Sequence, residues 1–405
     1  MLYFCANKTT MNTLDSLSFK NERALVRVDF NVPLDNNGKV TDATRITAAL
    51  PTIQYILNSG GSCVLMSHLG RPKGRDAELS LSRIVPELEK QLGKNVLFCS
   101  TSIGEEAEQQ AAALQPGQIL LIENLRFHKE ETAGDVAFSQ ALSKLGTIYV
   151  NDAFGTAHRA HASTTIVAQF FNGKKCFGAL LAAEIKAIDK VMASGEKPVL
   201  AILGGAKVSS KITIIENILP KVDHLIIGGG MAFTFIKALG GSIGKSICED
   251  DKMPLALSIL EQAKKLDVQV HLPVDVRAAQ QFSNDAPQQL FPIDQIPSDW
   301  EGMDAGPMSE EKFDAVVKQS KTILWNGPLG VFEFSNFAKG TKSLGDSIVA
   351  QTSLGAFSLV GGGDSVAAVK QFKLEDKVSY VSTGGGAMLE SLEGKTLPGI
   401  AAMLA

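Results

Sequence analysis

The sequence predicts an α/β protein of two lobes, each a mostly parallel, doubly wound sheet flanked by helices. At 405 residues the chain exceeds one ordinary core, and its 45% apolar composition is ample for two. Short apolar runs alternate with helical periodicity in both halves, the pattern of strand, crossover helix and strand. The clusters closing those runs are polar in the first half and glycine-rich in the second, so the two sheets are expected to carry different chemistry at their strand ends.

Composition narrows the partners. A formal net charge of −4 argues against nucleic acid or an anionic membrane surface, whose binders carry a broad basic face, and favours small molecules. The five cysteines (Cys5, Cys63, Cys99, Cys176 and Cys248) are scattered without close pairs, which predicts neither a disulfide framework nor a zinc site and fits a reducing cytoplasm. MLYFCANKTT has too brief an apolar run for a signal peptide, and nowhere do about 18 apolar residues run unbroken, so no membrane span is expected. Met11 stands just before the organised sequence, so Met1–Thr10 reads either as a disordered extension or as the product of a mis-chosen start.

In the first half, ALVRVDFNV, SCVLMSH, QILLIENL and TIYVNDAF read as strands, with helices over Thr44–Asn58, Leu81–Leu92 and Val136–Leu145. Their strand ends carry Asp29 and Asn31, then His68 and Arg71, then Arg126, then Asn151 through His161. In a parallel sheet such ends converge on one edge. Eight of the nine arginines fall at or before Arg159, and only Arg277 lies beyond, while lysines show no such bias. Arginine's planar fork reads phosphate and carboxylate bidentately, so Arg27, Arg45, Arg71, Arg126 and Arg159 predict a small-anion pocket, with His68, His158 and His161 beside them. The His158/His161 pair has metal-compatible spacing but no evident third ligand.

GALLAAEIKAIDKVMAS has helical periodicity and predicts a connecting helix within 179–197 between the lobes. Beyond it, PVLAILGGAKVSSKITIIENI reads as a strand that turns at Gly204-Gly205 into a helix, with Lys207 and Lys211 on one face of its first turns. HLIIGGG, TILWNGP, FSLVGGGD and VSYVSTGGG are further strands, and all three glycine triplets close strands of this half. One triplet is more often a tight turn than a binding loop. Three beside Gly204-Gly205 and two lysines predict a nucleotide-sized trough, because glycine permits positive φ and close approach of backbone to ligand. The stretch Gly240–Ser246 imitates a phosphate-binding loop but is one residue short and follows no strand. The lobes are thus Rossmann-like in layout without the G-x-G-x-x-G fingerprint, which weighs against the alternative of a two-domain NAD-dependent dehydrogenase.

RVDFNVP, SHLGRP, ENLRFH, NDAFGTAHRAHAS, LGGAKVSSKI, GGGMAFTF, WNGPLGVFE, GGGDS and STGGGA stand in one order from about Leu14 onward, and with them the chain closely resembles the phosphoglycerate kinase family. The resemblance implies a glycolytic kinase that moves a phosphoryl group reversibly between 1,3-bisphosphoglycerate and ADP, giving 3-phosphoglycerate and ATP, with Mg2+ as cofactor, and a monomer. It implies residues 1–178 as the phosphoglycerate-binding domain, joined by a tail at 389–405, and 198–388 as the nucleotide-binding domain. Carried over residue by residue, Asp29 and Asn31 hold the glycerate hydroxyl and carboxylate, and Arg45, His68, Arg71, Arg126 and Arg159 form the basic patch. Gly205, Lys207, Lys211, Gly228, Gly229, Asn326, Glu333, Gly362, Gly363, Asp364 and Ser365 address the nucleotide. Among them Glu333 is on the ribose, Gly228 and Gly229 line the adenine pocket, and Asp364 holds the metal. Arg45, Lys211, Gly384 and Gly385 are the expected catalytic set. Ser365 stands where many family members carry threonine.

The chemistry suits this inventory. An attacking carboxylate is already ionised at neutral pH, so no general base is needed. The obstacle is charge between two polyanions, met by arginine, lysine, metal and helix N-termini. Separate sites for the two ligands imply closure to keep water from the acyl phosphate.

Overall fold

The computed structural model describes residues 11–405, so the expected extension Met1–Thr10 and Cys5 lie outside the described residues. The chain forms two compact units. One runs to Lys186 and resumes at Thr396–Ala405, and the other is Ala187–Lys395.

The first unit is built on β1 (Arg23–Arg27), β2 (Ser62–Met66), β3 (Leu97–Cys99), β4 (Ile119–Ile122), β5 (Ile148–Asn151) and β6 (Lys175–Phe177). Their spatial order is β3-β4-β2-β1-β5-β6, with every neighbour parallel. β2, β4 and β5 are buried at every position, which is why they read as unbroken apolar runs rather than alternating ones. The short β3 and β6 were not expected. Crossovers are α1 (Thr44–Asn58), α2 (Val85–Leu92), α3 (Glu105–Ala112), α4 (Lys129–Ala133) and α5 (Val136–Ser143). Asp42 Oδ1 accepts from Thr44 N at 2.8 Å just ahead of α1, whose Ile46, Ala49, Ile53 and Ile56 join Val26, Leu65, Leu121 and Val150 in the core. α2 stops at Gly93, in the left-handed region at φ 63°. Asp135 caps α5 through Phe138 N at 2.8 Å.

The expected connecting helix is α6 (Ala179–Met192), and the boundary between the units falls inside it. Its first turn is tied to the first unit by Ala179 N donating to Thr52 Oγ1 at 2.8 Å and Leu181 N donating to Asp152 Oδ1 at 3.2 Å.

The second unit contains β7 (Val199–Leu203), α7 (Ile212–Ile218), β8 (His224–Ile227), α8 (Met231–Ala238), β9 (Ser242–Ile243), α9 (Met253–Lys265) and β10 (Gln269–His271). There follow β11 (Asp275–Ala279), β12 (Gln288–Pro292), β13 (Gln295–Ile296), β14 (Glu301–Ala305), α10 (Pro307–Gln319), β15 (Thr322–Asn326) and α11 (Lys339–Ser353). β16 (Phe357–Val360), α12 (Gly363–Gln371), β17 (Tyr380–Val381) and α13 (Gly385–Leu392) complete it. The main sheet is parallel, ordered β10-β8-β7-β15-β16-β17, with Ile202, Ile226, Ile323, Trp325, Phe313 and Leu344 in its core. β12-β11-β14 form a small antiparallel sheet that the sequence reading missed.

Two expectations are corrected. The helix after Gly204-Gly205 begins at Ile212, so Lys207 is extended (φ −132°, ψ 133°) and Lys211 only precedes the helix. The two lysines therefore do not share a helical face. Serine chemistry explains the delay: Ser210 Oγ donates to Lys207 O at 2.8 Å, and Ser209 Oγ donates to Glu249 Oε1 at 2.5 Å, holding a tighter turn there. The tail expected at 389 is also later. Leu389 lies in α13 of the second unit, and α14 (Pro398–Leu404) is what returns, through Asn151 Nδ2 to Gly399 O at 3.2 Å and Lys175 Nζ to Ala402 O at 2.9 Å.

Candidate functional site

Of the five arginines expected in one pocket, Arg71, Arg126 and Arg159 line a common cavity in the first unit, while Arg27 and Arg45 do not. This cavity of about 990 Å³ beyond the strand ends is lined by Arg71, Arg126, Arg159 and His161. Lys73 and Lys129 join them and were not singled out, because lysine is spread evenly along the sequence; His128, which sat in the quoted motif ENLRFH without a role, joins them too. Behind this wall runs a chain of hydrogen bonds. Arg126 Nη1 donates to Gly70 O at 2.7 Å, Gly70 N to Asn31 Oδ1 at 2.8 Å, and Arg45 Nη1 to Asn31 O at 2.8 Å. Arg45 also pairs with Asp29 at 3.3 Å. Asp29, Asn31 and Arg45 thus form one group coupled to the cavity through Gly70, whose φ of 65° a bulkier residue would resist.

Arg27 lies beneath and is fully buried. Its Nε donates to Ser163 Oγ at 2.7 Å, and Ser163 Oγ donates to Glu131 Oε1 at 2.6 Å, so the buried cation meets a buried anion through one hydroxyl. Arg27 Nη2 is 3.2 Å from His68 Nδ1. A guanidinium only donates, so Nδ1 accepts and the His68 proton sits on Nε2. Burial, then Arg27, Arg126 and Arg45, holds the His68 imidazole well below its usual range. Burial, followed by Arg27, Arg126 and Arg159, lowers His161 to about 4. Both rings are therefore neutral donors or acceptors at pH 7, and the positive charge of the cavity belongs to arginine and lysine.

In the second unit a cavity of about 460 Å³ is lined by Gly205, Gly228, Gly229 and Gly230, by Pro328, Gly330, Val331 and Glu333, and by Asp364. Phe233, Ile247, Met303 and Val276 add apolar surface suited to a flat ring and were not singled out; only Phe233 sat in a quoted motif. The glycines are there for close approach. A Cβ on Gly204 would collide with the Pro328 carbonyl, and one on Gly327, at φ 124°, would collide with the Gly204 backbone.

Lys211 donates to Asn326 Oδ1, and Asn326 Nδ2 to Gly361 O at 2.7 Å. Burial lowers the Lys211 ammonium, against which the Asp364 carboxylate raises it. Asp364 stands in the first turn of α12, after Gly362 at φ 91°. Lys207 is exposed nearby in sequence, and neither lysine lines the cavity itself. Ser365 is fully buried, and its hydroxyl accepts from Gly327 N at 2.5 Å, so it braces the Asn326–Pro328 turn. Gly363 and Gly385 open α12 and α13 and, with Gly384, line neither cavity.

No cluster of three or more His, Cys, Asp or Glu suited to a metal occurs among the described residues, His158 and His161 included. One carboxylate at a helix start beside a nucleotide-sized cavity does suit a magnesium ion that takes its other ligands from phosphate oxygens and water. No helix of the described residues is long and apolar enough to cross a membrane.

Comparison with known proteins agrees with this architecture. The family profile described as phosphoglycerate kinase matches residues 14–395. The phosphoglycerate kinase of Porphyromonas gingivalis is 53% identical over 96% of this chain and 99% of its own, and that of Chloroherpeton thalassium 51% over 96% and 98%. The solved phosphoglycerate kinase of Coxiella burnetii superposes with a TM-score of 0.90 at 41% identity, covering 97% of this chain and 99% of that one. That of Pyrococcus horikoshii gives 0.81 at 29%, covering 97% and 98%. The chain belongs to the phosphoglycerate kinase family.

Proposed function

We propose that the cavity of the first unit takes the phosphoglycerate and that of the second the adenine nucleotide, with the residue roles expected from the family resemblance. The observation that carries this is the division of chemistry: arginine and lysine line one cavity, glycine backbone and apolar side chains the other. Arg71, Arg126 and Arg159 hold the phosphate end, and the Asp29–Asn31–Arg45 group holds the glycerate end. Gly228, Gly229 and Phe233 flank the base, and Glu333 takes the ribose.

Lys211, held by Asn326, stands as a fixed cation for charge developing on the migrating phosphoryl group. Its lysine-to-asparagine bond keeps it aimed without a ligand. No residue is needed to remove a proton from the attacking carboxylate. Asp364 would hold the magnesium, which when bound neutralises phosphate charge. The reading extends to a reducing cytoplasm, supported by the free state of Cys63, Cys99, Cys176 and Cys248, and, from the family resemblance alone, to a monomer.

The deciding experiment is a coupled assay of ADP formation from ATP, 3-phosphoglycerate and magnesium. Turnover that depends on 3-phosphoglycerate is expected. ADP release at the same rate without it would contradict the reading.

A further inference from the structure

Arg277 is the lone arginine beyond Arg159, and the phosphoryl-transfer machinery gives it no task. It lies on β11, 8% exposed. Its Nη1 is 2.6 Å from Glu310 Oε1 in α10, 3.6 Å from Asp304 Oδ2 on β14, and donates to the Ala305 carbonyl. The ladder between β11 and β14 is irregular at this point. Arg277 faces Asp304 while Ala278 faces Gly302, so Met303 is the extra residue of a bulge.

From that bulge hangs one wall of the second unit's cavity. Met303 O accepts from Val331 N at 2.8 Å. Asp304 Oδ2 accepts from Gly340 N at 2.8 Å in the first turn of α11, and the next residue, Thr341, takes Leu329 N on its hydroxyl at 3.1 Å. Asp304 is packed so closely on Gly330 that no Cβ would fit there. The segment 328–333 contributes Pro328, Leu329, Gly330, Val331 and Glu333 to the cavity. Burial raises the Asp304 carboxyl to about 7 even with the Gly340 N–H and then the Arg277 guanidinium lowering it, so the guanidinium beside it favours the ionised form of a group poised between its two states.

We propose that Arg277 is a positioning residue for the nucleotide: it clamps the β14 bulge through Asp304 and Ala305 and so fixes segment 328–333 as the wall of the cavity, touching no ligand itself. The inference rests on the nucleotide reading of that cavity. Loss of the clamp loosens the wall and weakens nucleotide binding, while the phosphoglycerate cavity, built from other residues in the other unit, is unaffected.

The test uses the full chain as wild type, Arg277→Met and Arg277→Lys, with steady-state kinetics, thermal melts and hydrogen exchange read by mass spectrometry. Arg277→Met is expected to raise the KM for ATP about tenfold, leaving kcat and the KM for 3-phosphoglycerate within about twofold. Arg277→Lys recovers part of the loss, because the charge returns without the fork. Exchange in 328–333 of ligand-free Arg277→Met should be faster than in wild type. An unchanged KM for ATP, or equal rises for both substrates, overturns the inference. If ADP fails to slow exchange in 328–333 of wild type, the cavity assignment itself falls and the inference with it. Should Arg277→Met not fold, Glu310→Gln carries the test: a rise of about threefold in the KM for ATP alone is expected, and no ATP-selective change overturns the proposal.

Discussion

Lys211 is half-buried, donates to Asn326 and feels the carboxylate of Asp364, so its charge is held in place before any ligand arrives. Lys211→Ala is expected to lower kcat by roughly a hundredfold or more, with circular dichroism unchanged. A kcat within about threefold of wild type would remove it from the reaction. Arg71→Ala and Arg126→Ala should weaken 3-phosphoglycerate binding by about tenfold or more and ATP binding by less than about twofold, read by titration calorimetry of each ligand alone. Equal losses for both ligands would contradict the division of labour. The arginines were legible in the sequence because they are few and segregated. Lys73 and Lys129 were not, since nothing marks two lysines among many until the fold brings them beside Arg126. Ser365 was legible as a polar residue at a helix start but not as an internal brace, because only the folded arrangement brings its hydroxyl to Gly327 N.

Among elements, β7 and β15 run parallel and adjacent, and the turns leaving them cross with backbone against backbone at Gly204 and Gly327. Gly204→Ala is expected to destabilise the second unit by about 2 kcal/mol or more, visible as a lowered melting temperature, because the Pro328 carbonyl is part of the backbone and cannot swing aside. A melt within 1 °C of wild type would show that the turns can separate freely. At the start of α6, Asp152 is fully buried and accepts from Leu181 N, and burial raises its carboxyl to about 7. The unfolded chain releases this proton near pH 4, so between about 4 and 7 the folded state binds more protons and stability falls as pH rises. Asp152→Asn should flatten that slope, narrowing the stability difference between pH 5.5 and 8 by about 2 kcal/mol in urea unfolding. An identical slope in the variant would mean the carboxyl is ionised throughout. Most parallel strands were legible because buried strands are continuous apolar runs, whereas the long helices Met253–Lys265, Pro307–Gln319 and Lys339–Ser353 were not given ranges from the sequence. The antiparallel β12-β11-β14 sheet was not: β12 is largely exposed as QQLFP and β11 wholly buried as DVRAA, so neither shows the alternation that announces a strand with one wet face.

At the scale of the whole chain, each ligand should leave its imprint on one unit only. 3-Phosphoglycerate is expected to slow hydrogen exchange around Asn31, Gly70 and Arg126, and ADP around Gly205, Gly229 and Val331. Protection by ADP alone in the arginine cavity would show that the nucleotide reading has been assigned to the wrong unit. The two-unit plan was legible from length and the change in strand-end chemistry, whereas the point of return at Thr396 was not, because α13 and α14 are both short and apolar and only their partners tell them apart. That return has a consequence for synthesis. Asn151 and Lys175 wait for Gly399 and Ala402, which the ribosome makes only after the entire second unit. The second unit, contiguous in sequence, has its full set of strands before then, so the half of the protein that is translated first is the half whose set of native contacts is completed last.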